Sequence, residues 1–274
     1  MGTKRQKANY MIQSVAHALE VLEEMSKAGG EIGVTELSKR LDLHKNNVFR
    51  LLATLELRGF VEQNPATENY RLGVKNLQLG QSYMAHNTLV QRAGPVLRKL
   101  AEETGETVSL AMLQNGYVQF PIAVASKKPV KVAAREGTSF PAKMNAAGRL
   151  LTAQMSDASL AEILGGDTPQ DVAIKSQLTE LRSSGQIIDR GAIEADVVSM
   201  CRVVRGMNGE VVGAIELLVP QYRATKIEAT AAMLEEAASN LSNALGSYRV
   251  ALATSVEKEV TVKSTSVTQT TPTV

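Results

Sequence analysis

The sequence predicts an α+β chain of about two domains, helical at its start and mixed thereafter. Three observations carry that prediction. Residues 34–58, VTELSKRLDLHKNNVFRLLATLELR, read as two short amphipathic helices around a tight turn. After Gly105 the pattern changes to short apolar runs separated by turn residues such as Asn115-Gly116 and Asn208-Gly209. The length, 274 residues with 44% hydrophobic and 21% charged side chains, suits about two ordinary globular domains rather than one or many.

The first helix is expected from Ile12. Ile12, Val15, Ala16, Leu19, Val21, Leu22 and Met25 recur at mostly three- and four-residue intervals, as one apolar stripe, and Gly29-Gly30 ends it. Thr35 is the expected N-cap of a helix running to Leu41, with Leu37 and Leu41 on its buried face. Asp42-Leu43-His44 make the turn, and the next helix buries Val48, Leu51, Leu52 and Leu55 before Gly59 closes it. Residues 60–63 and 70–72 read as a strand and its return around the turn-rich loop 64–69, which makes a wing.

Residues 73–84 read as a helical connector, and 90–104 as a helix with Pro95 near its first turn. Strands are expected at 107–113, 117–125, 130–134, 186–189, 200–204 and 211–219. Helices are expected at 145–155, 160–164 and 174–184, with a loop at 165–170, and a long alanine-rich helix closes the domain at 225–248. The organisation is therefore a DNA-binding type of module at 10–73, a linker helix at 74–88, a mixed domain at 89–250, and a Ser/Thr-rich tail at 251–274 expected to be disordered.

Composition excludes several classes. One cysteine, Cys201, leaves no internal disulfide and no cysteine-based zinc cage. No apolar run nears the roughly 18 residues of a membrane span, and the start, MGTKRQKANY, is not a secretory leader, so a cytoplasmic protein with no membrane partner is expected. The histidines, His17, His44 and His86, lie far from Cys201, and nucleophile-elbow, Walker and H-E-x-x-H motifs are lacking, so no catalysis, metal or cofactor is expected. The net charge is only +2, but five basic side chains face two acidic ones between Lys39 and Arg58, a local bias suited to reversible DNA binding.

The second helix of the pair opens with a nitrogen-rich tip. Lys45, Asn46, Asn47 and Arg50 fall off its apolar stripe and point outward. Asn can read adenine through two hydrogen bonds, and Lys or Arg suits guanine or phosphate. The alternative is that Asn46 or Asn47 only caps the helix. Thr35 is a candidate phosphate contact, Arg71 and loop 64–69 candidate wing contacts, and Lys4 and Arg5 a candidate minor-groove arm.

With these residues laid out, the chain resembles the isocitrate lyase regulator (IclR) family of bacterial transcription factors. SVAHALEVLEEMS, the 34–63 segment, YRLGVKNLQLG, LRKLAEETGETVSLAML, FPAKMNAAGRLLTA and NGEVVGAIELLVP carry the resemblance, over residues 14–245. It implies a winged helix-turn-helix, a linker helix and an effector-binding domain related to GAF and PAS sensors. It implies homodimers or dimers of dimers on palindromic double-stranded operators, answering to a small-molecule effector. The effector site would lie where Met144, Asn145, Ala146 and Ala147 meet Asp189, Cys201, Glu216 and Leu218. Family members usually carry small hydroxyl residues where Asn46 and Asn47 stand, which suggests a changed base preference. They carry serines where Glu216 and Leu218 stand. An inward Glu216 would repel a carboxylate unless Arg149 or protonation compensates, and an outward Glu216 would be a solvent-facing strand residue. Cys201 could equally be an inert buried residue. The alternative function is a winged-helix dimerisation or ligand-binding module that does not read DNA.

Overall fold

The computed structural model describes residues 11–265 apart from Gly165 and Asp167. The basic arm with Lys4 and Arg5 lies outside the described residues. The chain divides into two compact units at His86/Asn87.

The first unit holds helices α1 (Gln13–Ala28), α2 (Val34–Leu41) and α3 (Lys45–Leu57), strands β1 (Val61–Gln63) and β2 (Tyr70–Leu72), and helix α4 (Val74–His86). Its core is Val21, Met25, Ile32, Leu37, Val48, Leu52, Leu55, Val61 and Tyr70. The expected single stripe on α1 proves to be two faces. Val21 and Met25 enter this core, whereas Ile12, Val15 and Leu19 remain 66%, 53% and 55% exposed.

Gly33, not Thr35, is the N-cap of α2, and Thr35 sits one residue inside the helix. Asp42, at φ 51°, ends α2 in the left-handed region, and Ser38 Oγ donates to Leu43 O to hold the turn. His44 is the N-cap of α3 without a side-chain bond, so neither Asn46 nor Asn47 caps the helix. The wing strands pair antiparallel, Glu62 opposite Arg71. Ile32 exchanges two backbone hydrogen bonds with Tyr70, both 2.9 Å, and ties the wing to the segment before α2. The wing loop is fastened by the Glu31 carboxylate, which accepts from Asn64 Nδ2 and Thr67 Oγ1 and is held below its ordinary pKa by those bonds.

The second unit begins with α5 (Thr88–Thr104), capped by Asn87, whose side chain accepts from Val90 N. Pro95 lies in the interior of α5, not near its first turn, because the helix starts earlier than the apolar periodicity indicates. Strands β3 (Thr107–Gln114) and β4 (Tyr117–Val124) meet at Asn115-Gly116, whose φ angles of 51° and 80° make the tight hairpin turn that this dipeptide favours. Then come β5 (Ser139–Pro141), a 3-10 turn (Ala142–Met144), α6 (Ala146–Ala153), α7 (Asp157–Ile163), α8 (Pro169–Ser184), β6 (Gln186–Arg190), β7 (Val197–Arg205), β8 (Val211–Pro220) and α9 (Ile227–Thr265).

The six strands form one antiparallel sheet in the order β5-β4-β3-β8-β7-β6. Residues 130–134 are not a strand. The edge of β4 is taken by β5, and Val132 O instead accepts from Thr107 Oγ1. Helix α8 starts at Pro169 rather than Ile174, because Thr168 and Asp171 form a reciprocal capping box ahead of it. Helix α9 continues to Thr265 with no proline to stop it, so the first part of the expected disordered tail is helical; residues 266–274 lie outside the described residues.

Alternation sets the two faces of the sheet. Val108, Met200 and Leu217 share one face, which α5 and α9 cover. The other face packs Ala111, Val118, Phe120, Cys201, Val203 and Ala214 against Ala146, Ala147, Leu150 and Leu151 of α6. That second interface also carries the unusual polar groups.

Candidate DNA-reading helix and effector site

In the first unit, α3 is buried along Val48, Leu52 and Leu55 and exposed along its opposite side. His44, Lys45, Asn46, Asn47 and Arg50 are all exposed. The first turn of a helix has backbone N–H groups without intrahelical acceptors, so this tip offers main-chain as well as side-chain donors. Thr35 is exposed on α2. Of the neighbouring basic residues, Arg40 is engaged by Glu36 at 2.9 Å and Glu24 at 3.2 Å, whereas Lys39 is exposed and in no ion pair among the described residues. Arg71 stands on the wing in an exposed ion pair with Glu62 at 3.1 Å. Sequence reasoning missed Phe49, an aromatic ring 55% exposed on α3. The available signal was its place between Val48 and Arg50, off the apolar stripe.

In the second unit, strand register brings the expected side chains together. Asp189 stands opposite Ser199, Ser199 opposite Leu218 and Leu218 opposite Thr107. The adjacent row on the same face is Ile187, Cys201, Glu216 and Ser109. Over these rows lies the start of α6. Asn145 is its N-cap, with the side-chain oxygen accepting from Gly148 N at 3.0 Å. The backbone passes so close here that a Cβ on Gly148 would sit 2.4 Å from Ala142 O. Ala146 and Ala147 are buried at the first two helical positions, where N–H groups have no acceptor within the helix. Met144 is 61% exposed and stands apart from this buried group.

Glu216 faces inward, fully buried, so the solvent-facing alternative is excluded. Its Oε1 accepts from Asn145 Nδ2 at 3.2 Å. The compensating cation is Arg135, whose Nε lies 3.5 Å from Glu216 Oε2, and not Arg149, whose Nε donates to Lys143 O. Burial dominates, and pushes the Glu216 carboxyl up to about 7, against the opposing pull of Arg135 and Asn145. Asp189 accepts from Ile193 N at 3.1 Å. Cys201 is buried, and burial together with the Glu216 charge drives its thiol well above the ordinary range.

Arg135 was missed because it sits in an irregular loop where no periodicity marks it. Its Nη2 donates to Glu194, and its guanidinium lies 5.6 Å from the Phe120 ring and 5.5 Å from the Phe140 ring. Among the described residues, Ser109 Oγ, Arg135 Nη1 and Glu216 Oε2 are buried and have no hydrogen-bond partner. Buried polar groups in folded proteins are nearly always paired, and each exception calls for an explanation. A fourth such atom, Thr152 Oγ1, is on α6.

Two family models match the chain. The IclR helix-turn-helix domain matches residues 14–65, and the bacterial transcriptional regulator IclR C-terminal domain matches residues 81–243. The chain belongs to the IclR family. Among curated relatives, the HTH-type transcriptional regulator XynR of Escherichia coli strain K12 is 29% identical over 247 residues, spanning 86% of this chain and 98% of that one. The transcriptional repressor IclR of the same strain is 26% identical over 255 residues, spanning 88% and 93%. A solved IclR regulator from Alicyclobacillus acidocaldarius superimposes with a TM-score of 0.76 at 25% identity, covering 86% of this chain and all of that one. As an IclR-family member the chain is a DNA-binding transcriptional regulator with an N-terminal helix-turn-helix and a C-terminal effector-binding domain. No helix among the described residues is long and apolar enough to cross a membrane.

Proposed function

We propose that α3 is the helix that enters the major groove, with Lys45, Asn46, Asn47 and Arg50 at the base edges and phosphates, and with Thr35 and Arg71 as flanking phosphate contacts. The single observation behind this reading is that these four α3 side chains are all exposed on the side opposite Val48, Leu52 and Leu55. A helix held from behind by its own core can place its front in a groove without unfolding anything. The effector would occupy the second unit at Asn145, Ala146, Ala147, Asp189, Cys201, Glu216 and Leu218, joined by Ser109 and Arg135. Its binding would bias an existing equilibrium between arrangements of paired DNA modules. Pairing of two copies would use the exposed apolar residues at the start of α1, Val15 and Leu19 with Ile12 just before it, which do not belong to the first unit's core. The reading gives the chain no catalytic step and sets its work in the cytoplasm, where bacterial DNA lies.

A gel-shift titration against the DNA upstream of the chain's own gene tests the reading. Preference over random duplex by a thousandfold or so at physiological salt is expected of a specific regulator. Equal affinity for both duplexes would overturn it. Sedimentation of a Leu19→Glu variant tests the pairing: it should shift toward monomer, while an unchanged assembly would move the pairing surface elsewhere.

A further inference from the structure

The polar cluster between α6 and the sheet narrows the chemistry of its occupant, an inference that rests on reading that cluster as the effector site. Ser109, Arg135 and Glu216 are each more than nine-tenths buried. Ser109 stands directly opposite Glu216 in the β3–β8 pairing, and Arg135 Nε approaches Glu216 Oε2 at 3.5 Å. The three atoms of this group without a hydrogen bond among the described residues are a guanidinium donor, a carboxyl oxygen held only by the longer Arg135 ion pair, and a hydroxyl that can act as donor or acceptor. A buried polar atom without a hydrogen bond costs stability, so the fitting ligand supplies both donors and acceptors.

A carboxylate oxygen only accepts. It would suit Arg135 Nη1, but at Glu216 Oε2 it would set lone pair against lone pair unless the Glu216 carboxyl keeps its proton, whereas a hydroxyl fits that oxygen in either state. An ammonium only donates and would oppose Arg135. The local charges also disfavour a simple anion: Arg135 and Arg149 already face Asp189, Glu194 and Glu216. A hydroxyl donates once and accepts twice, and two neighbouring hydroxyls can satisfy all three atoms together. The rings of Phe120 and Phe140, which meet edge to face at 6.2 Å beside Arg135, offer an apolar surface for the C–H side of such a molecule.

We propose that the effector is a polyhydroxylated small molecule, a neutral sugar or a sugar-derived acid, whose adjacent hydroxyls are read by Glu216 Oε2, Arg135 Nη1 and Ser109 Oγ. The N–H groups of Ala146 and Ala147 then take a further oxygen of the same ligand, which is a carboxylate in the acid and a hydroxyl or ring oxygen in the neutral compound.

The test is calorimetry and thermal shift on the full chain with three sets of probes: glucose, xylose and sorbitol; gluconate and galactonate; and the hydroxyl-free acids hexanoate and benzoate. At least one hydroxylated set binds and the third set does not; which of the first two is tighter separates the neutral source from the acid. Ser109→Ala weakens that binding about tenfold, the loss of one hydrogen bond in a dry site. It does not lower the melting temperature of the ligand-free chain, because Ser109 Oγ has no partner there to lose. Glu216→Gln also weakens binding, an independent check on a second of the three reading atoms. Hexanoate or benzoate binding as tightly as the hydroxylated probes, no hydroxylated probe binding at all, or Ser109→Ala leaving affinity unchanged would overturn the proposal. Operator affinity is measured alongside. Release of the operator by benzoate alone would leave the effector reading standing and sink hydroxyl recognition. A hydroxylated probe that binds without altering operator affinity would do the reverse.

Discussion

The tip of α3 and the cluster under α6 both present polar atoms without hydrogen-bond partners among the described residues, and the two differ in what that condition costs. At the tip, Lys45, Asn46, Asn47 and Arg50 are exposed and water satisfies them, so the protein can hold them ready at little energetic cost. Under α6, Ser109, Arg135 and Glu216 are buried, and each carries an atom without a hydrogen bond among the described residues, which weakens the fold. The contrast teaches where each kind of ligand acts. On the proposed reading, a large polyanion would be met by a surface prepared in advance and a small ligand by a strained interior that it would relieve, which would give it leverage on the conformation of its domain.

The largest effect expected from breaking the first side of this contrast is at the operator. Replacing Asn46, Asn47 and Arg50 together by Ala should remove roughly 3–9 kcal/mol of discrimination, at about 1–3 for each base contact, and leave near-nonspecific binding in a gel shift. The fold should survive, since none of the three belongs to the core of the first unit.

The second side is tested by pH. In the unfolded chain Glu216 titrates near 4.5, and in the folded chain its pKa rises to about 7. The folded state therefore holds the extra proton between those values. This group's contribution to stability is greatest below 4.5, falls as pH rises, and levels off above about 7. The change between about pH 5 and about pH 8 is roughly 2–3 kcal/mol. Denaturant melts of the wild type and Glu216→Gln, compared at both pH values, should show the wild type losing that much more than the variant. Parallel curves would mean that Glu216 is not buried as described.

A smaller effect comes from Gly148→Ala. The added Cβ would meet Ala142 O at 2.4 Å, so the turn before α6 must shift. Overpacking of this kind costs about 1–3 kcal/mol, and the shift should also weaken effector binding. The smallest is Arg71→Ala. Its ion pair with Glu62 is exposed and worth at most about 1 kcal/mol to the fold, so a melt should hardly move. Operator affinity should nevertheless fall a few-fold and its salt dependence should flatten by about one phosphate contact.

The two regions also differ in how far they were legible in the sequence. The helix pair and wing were readable because their signals are local: a three-four apolar spacing, a turn at Asp42, and a Pro/Asn-rich loop between short strands. The errors there were small ones. Thr35 reads as the cap that Gly33 provides, and the sequence reads as one stripe on α1 where three of the seven residues are exposed. The strands carrying Asp189, Cys201 and Glu216 were also readable, but the register that aligns them was not, because pairing between strands far apart in sequence leaves no local mark. Arg135 was lost for a related reason. A run of Val and Ala at 130–134 imitates a strand, while the true edge strand, β5, is three residues long and follows it. The start of α8 was legible and overlooked, since Thr168 and Asp171 have the spacing of a capping box.

The central claim is that the α3 tip touches bases rather than merely lying near DNA. Selection of binding sites from a random duplex pool, run in parallel with the wild type and with Asn46→Ser/Asn47→Ser, tests it directly. The account predicts that the two pools share one half-site spacing and differ in the preferred bases at a few fixed positions within each half-site. Identical selected sequences from both proteins would contradict it.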